Sequence, residues 1–172
     1  LNRHLLKKHD GNKEMLAYLV NHEIDEIKGT LYRQTMFAEF EKLTHARAES
    51  HQPLTLDYYR DTYRGLLAKY FGPAIELTTY DELEFLRIPH FYSAFYVYKY
   101  ATGISAAVAL SQMVLNGGDA ERERYLGFLK AGGSKFPLDI LRDAGVDMEA
   151  PKPIETALAR FCGTPPSEGQ PF

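Results

Sequence analysis

Apolar side chains return every three or four positions along this chain, and no other feature limits its possible folds so strongly. Leu16, Leu19, Val20, Ile24, Ile27 and Leu31 form one such row, continued by Met36, Phe37, Phe40 and Leu43. Each residue advances about 100° around an α-helix, so the row occupies one face and predicts a helix reaching about His45. Asn12 stands where an N-cap belongs, and Gly29 weakens the middle by up to about 1 kcal/mol relative to alanine. A polar loop at His51-Gln52-Pro53 leads to a second helix starting near Thr55 or Asp57. Tyr59, Tyr63, Leu66, Leu67 and Tyr70 line one side of it, and Gly72-Pro73 ends it. Residues 74–90 read as an irregular connection closed by Ile88-Pro89.

The most apolar helix is expected over residues 90 to about 115. Lys99 lies within it among tyrosine, serine and threonine side chains, which fits a buried helix of a larger soluble protein rather than a membrane span. Its small residues, Ala101, Gly103, Ser105, Ala106, Ala107 and Ala109, allow other helices to approach closely. Asn116-Gly117-Gly118 stops it, and Asp119 is expected to cap a helix to about residue 131. Short helices follow at 136–144 and 154–161, with 145–153 extended between them. No segment alternates with the period of a strand, so the fold class is all-α. The organisation expected is one helical portion, 1–162, and a disordered tail, 163–172, whose three prolines and two glycines leave little to bury.

A net charge of −3 with scattered basic residues gives no electrostatic attraction for nucleic acid or an anionic membrane, so neither is an expected partner. A single cysteine, Cys162, excludes an internal disulfide and suits a reducing, cytoplasmic setting. The chain starts at Leu1 without a methionine, so residues are expected upstream.

Several chemical leads fail on spacing. His22-Glu23 opens like the zinc motif HExxH, which needs a second histidine one turn on, but Glu26 stands there. None of the six histidines has a glutamate three residues before it, as a di-iron bundle requires. Gly132-Gly133-Ser134 lacks the lysine and spacing of a phosphate loop, and Cys162 has no partner base in view.

One string does stand out: IPHFYSAFYVYKYATG, residues 88–103. It holds His90 and Tyr92, Tyr96, Tyr98 and Tyr100. On a helix, Tyr92, Tyr96 and Tyr100 would share a face, with Tyr98 on another nearer Phe91 and Phe95. Buried hydroxyls must be paired, so either a well-satisfied aromatic core or a cleft lined by neutral donors beside a histidine fits. The second arrangement suits a developing oxyanion.

This string resembles the C-terminal signature of the oligoendopeptidase F family, in the thimet-oligopeptidase-like group of zinc metallopeptidases. GTLYRQTMFAEFE, 29–41, and AGGSKFPLDILRDAGVDM, 131–148, resemble two further family segments in the same order. The resemblance covers about residues 1–161. It implies an almost wholly helical enzyme with a deep channel for short peptides, which are the expected substrates. It also implies a zinc ion held by the two histidines of HExxH and a later glutamate. None of those ligands is in this sequence, and Leu1-Asn2 resembles the continuation of the helix carrying the third. The other expected partner is therefore the missing N-terminal part of the same protein, and an isolated piece could self-associate through exposed apolar surface.

Carried over, His90 matches the family's histidine as a catalytic and substrate-binding residue, and Tyr98 matches the tyrosine that stabilises the tetrahedral intermediate. Tyr92 matches the second substrate tyrosine, with Tyr96 its rival. The family's tryptophan before this string is absent here, Phe85-Leu86 standing in that region. The tail after Phe161 also departs from the family's helical ending. For Arg33, Glu39 and Glu41 in the second string, an Arg–Glu network tying helices together is expected. The chain alone is expected to be inactive; the alternative is a non-catalytic helical peptide-binding module.

Overall fold

The computed structural model of the chain describes residues 2–162, among which stand eight α-helices and no strand. The chain divides between Ala101 and Thr102 into two compact units. The predicted tail, 163–172, lies outside the described residues.

In the first unit, α1 (Asn2–Lys8) is tied to α2 (Lys13–Ile27) by the Asn2 side-chain amide, which donates to Glu23 at 2.8 Å. Asn12 caps α2 as expected, its side-chain oxygen accepting the Met15 N–H at 3.1 Å. The helical run continues to Glu49, but not as one regular helix. A π-type turn, Lys28–Tyr32, joins α2 to α3 (Arg33–Glu49), and Gly29 stands within it. Leu19, Ile27 and Leu31 are buried while Val20 and Ile24 are exposed, so only part of the predicted stripe is covered. After α3 the chain turns at His51 with φ +58°, and Gln52 N–H closes back on the Arg47 carbonyl at 3.2 Å.

The Thr55 hydroxyl caps α4 (Leu56–Phe71) by accepting the Tyr58 N–H at 3.2 Å, and Gly72, at φ +71°, ends it. Helices α3 and α4 build the core from Met36, Phe37, Phe40, Tyr63, Leu66 and Leu67, with Phe85 and Val97 added from beyond. Phe40 sits among the rings of Tyr63, Phe85 and Phe91, its centroid 5.2, 5.4 and 5.3 Å from theirs. Tilted and edge-on aromatic pairs of this kind add about 0.5–1.5 kcal/mol each beyond burial.

The connection 74–90 contains a 3₁₀ helix, Asp81–Arg87, that pins itself to α3 and α4 through two glutamates. Buried Glu82 accepts from Arg60 and, at 3.1 Å, from Arg64. Glu84 accepts from Arg33, from Tyr63 Oη at 2.8 Å and from Arg87 at 2.6 Å. The expected helix-tying network is therefore present, with different partners. Arg33 pairs with Glu84, Glu39 takes Lys69 and Tyr70, and Glu41 takes a backbone amide.

Helix α5 (Tyr98–Asn116) begins eight residues later than the sequence suggests. Pro89–Tyr92 forms a 3₁₀ turn, and Phe95 adopts φ +56°, which no α-helix tolerates. Tyr92, Tyr96 and Tyr100 consequently do not share one helical face.

In the second unit, Ala106, Ala109, Leu110 and Met113 of α5 pack on Ala144 and Val146, so part of the small-residue run does admit a close neighbour. Gly145 shows how close: a Cβ there would stand 3.1 Å from Met113 Sδ, and its φ is +96°. The second helix of this unit, α6 (Asp119–Ala131), is capped at Gly118 rather than Asp119, the Gly118 N–H donating to Glu121 at 2.8 Å. Helix α7 covers Pro137–Asp143, and α8 (Lys152–Phe161) starts earlier than expected because Pro153 fits its first turn. None of the described helices is long and apolar enough to cross a membrane.

Candidate functional site

Two core anchors hold the segment between Ile88 and Tyr100. Phe91 packs edge-on against Phe37, centroids 5.4 Å apart, and Val97 is fully buried. Between them the chain makes short turns, Ser93 N–H bonding the His90 carbonyl at 3.0 Å and Tyr96 N–H the Ser93 carbonyl at 3.2 Å. Residues 92–96 are accordingly exposed, with Tyr92 at 88%.

Inside this segment His90, Tyr96 and Tyr100 converge. His90 Nε2 lies 3.2 Å from Tyr100 Oη, and the Tyr100 hydroxyl donates to Tyr96 Oη across a longer 3.5 Å. The imidazole stacks on the Tyr96 ring at 5.7 Å and meets the Tyr100 ring edge-on, also at 5.7 Å. With the Tyr100 proton directed at Tyr96, the histidine tautomer that completes the chain carries its proton on Nε2. The Tyr96 proton is then left for an acceptor beyond the three. The Lys99 ammonium sits 5.2 Å over the Tyr96 ring. The Tyr96 hydroxyl beside Tyr100, and then burial, push the Tyr100 phenol above its ordinary value. It stays protonated at physiological pH, and the donor this row offers outward, the Tyr96 hydroxyl, can meet partial negative charge without bringing a counter-charge.

The residues singled out on the sequence fall in different surroundings. His90 is half-buried within the cluster. Tyr98 opens α5 and is 48% exposed. Tyr92 borders an open cleft of about 470 Å³ whose walls include Glu41, His45, Tyr59, Ile88 and Phe91. Tyr100 hydrogen-bonds His90, although sequence reasoning assigned it no role. The i, i+4 spacing of Tyr96 and Tyr100 was the available signal, and those two rings do meet at 5.5 Å.

Elsewhere, His22 stacks on Tyr18 at the surface, centroids 6.1 Å apart, and Cys162 is an exposed free thiol. Among the described residues no group of three or more His, Cys, Asp or Glu side chains gathers as a metal site needs. These residues do not fit a zinc ion.

Known proteins supply the context. Oligopeptidase PepF of Bacillus subtilis is 47% identical over 161 residues, which is 94% of this chain and 24% of that protein. An oligoendopeptidase F homolog of Borreliella burgdorferi is 44% identical over 91% of this chain and 26% of its own length. The crystal structure of oligoendopeptidase-F from Enterococcus faecium superposes with a TM-score of 0.88 at 42% identity, covering 94% of this chain and 31% of that one. The chain thus spans about a quarter of the length of the curated relatives it matches. The profile of peptidase family M3 accounts for residues 1–160. Sequence and helix arrangement agree along that stretch, and this chain belongs to peptidase family M3.

Proposed function

We propose that the parent protein is a zinc-dependent endopeptidase of short peptides, and that this chain supplies substrate-binding and intermediate-stabilising groups to it. The observation that carries the reading is the junction of the His90 imidazole with the Tyr100–Tyr96 hydroxyl row, at the edge of a segment open to solvent. His90 binds the peptide backbone near the scissile carbonyl. Tyr98 donates to the oxygen that becomes negative in the tetrahedral intermediate, and Tyr92 grips the substrate further along. A phenol suits this task because its hydrogen bond strengthens as charge develops, and a neutral donor adds no charge to the substrate's ground state.

The metal ligands in this reading lie in residues outside this chain. The zinc they hold would polarise the scissile carbonyl and activate water. The chain's lone cysteine supports a reducing, cytoplasmic setting for the parent.

The isolated chain is expected to cleave nothing, because it carries donors and binding groups without a ligand set. Incubating it with zinc and a quenched fluorogenic peptide tests this: the result expected is the buffer rate, and zinc-dependent turnover would overturn the division of labour.

A further inference from the structure

Phe95 departs from what its side chain prefers. A phenylalanine at φ +56° is held in the left-handed region, where a Cβ crowds the following carbonyl, and such residues persist only where their surroundings over-determine them. Two residues one turn apart on α3 supply that determination. Glu41 is 4% exposed and 54 positions away in sequence, and its Oε1 accepts the Phe95 N–H at 2.9 Å. His45 sets its ring against that of Phe95, centroids 4.5 Å apart. The same helix also holds Phe91 through Phe37 and Phe40. One face of α3 therefore grips the segment on both sides of the exposed stretch 92–94, directly ahead of Tyr96 and Tyr98.

We propose that Glu41 is a positioning residue: its carboxylate oxygen, with the His45 ring, locks Phe95 in its left-handed conformation and so sets where Tyr96, Tyr98 and Tyr100 stand relative to His90. Backbone strain of this kind is costly and clusters at active sites and ligand clamps, so the outlier at Phe95 points to a conformation that is used. Remote misplacement of reacting groups by about 1 Å is enough to lower rates about 10²-fold. The inference rests on the reading that these tyrosines serve peptide hydrolysis in the parent.

The test uses the full-length parent with E41Q, E41A and F95P, reading kcat and KM on a fluorogenic peptide together with amide hydrogen exchange resolved over 88–100. E41Q keeps an oxygen acceptor in place and should hold kcat within about threefold, whereas E41A should lower kcat about 10- to 100-fold with little change in KM. Exchange should rise in 93–97 for E41A and stay unchanged in α4. F95P removes the same N–H, loses the ring against His45 and, with φ fixed near about −65°, forbids the left-handed turn itself, so its losses should equal or exceed those of E41A and can be read even where E41A does not fold. Three results would overturn the positioning role: wild-type exchange at 93–97 in both E41A and F95P, equal damage from E41Q and E41A, or exchange rising equally throughout α3 and α4. If exchange rises locally but kcat is unchanged, and H90A is also fully active, the clamp stands and the catalytic reading of the segment fails instead.

Discussion

His90 Nε2 and Tyr100 Oη stand 3.2 Å apart across ten residues of chain, and α5 begins between them at Tyr98. The first turn of that helix therefore carries one hydroxyl to the imidazole and presents its neighbour to solvent. This division predicts different consequences for different tyrosines.

Tyr100→Phe removes the hydroxyl partner of His90 while keeping the ring contacts. A single hydrogen bond of this type contributes about 0.5–1.5 kcal/mol, so kcat/KM of the parent should fall about 2- to 13-fold. Steady-state kinetics on one peptide substrate measures it, with Tyr96→Phe expected to cost no more because its bond to Tyr100 is longer.

Glu39 should shape the acid limb of stability. Its hydrogen bond from Lys69, and then that from Tyr70, hold its carboxyl below the ordinary value of 4.5. A depressed carboxylate stabilises the fold above its unfolded value, and that contribution is lost as pH falls through the folded one. Thermal unfolding of the parent between about pH 6 and about pH 3 should show Glu39→Gln losing less stability on acidification than the wild type.

The alkaline limb should depend on Tyr63 and Tyr70. Burial, then a hydrogen bond to Glu84, raises the Tyr63 phenol well above its ordinary value, and burial with Glu39 pushes Tyr70 up to about 12. Raised phenols stabilise fully below the unfolded value of 10.0 and lose that contribution as pH rises towards the folded one. Tm should fall above about pH 10, and Tyr70→Phe should shallow that fall; an unchanged slope would contradict the assignment.

Met36 is fully buried between α3 and α4. Met36→Ala should destabilise by about 2–5 kcal/mol through lost transfer energy and the cavity left behind. Denaturant unfolding measures this, and a loss below about 1 kcal/mol would show that the site collapses.

Much of this was legible in the residues. The rows through Met36–Phe40 and Tyr59–Tyr70 became facing helices because local periodicity and caps at Asn12 and Thr55 act within a few positions. The 90–97 segment was not legible as non-helical, because its conformation is set by Glu41, far away in sequence, and by burial of Val97. Val20 and Ile24 show another limit: spacing places a residue on a face but does not say what covers that face. The motif strings identified the family, whereas the pairing of His90 with Tyr100 required the fold.

The claim that this segment serves peptide hydrolysis is tested most directly by kcat/KM of the full-length parent with Tyr98 changed to phenylalanine. Losing one donor to a developing oxyanion should lower it about 10²- to 10³-fold with KM nearly constant. Turnover equal to wild type in a folded variant would contradict it.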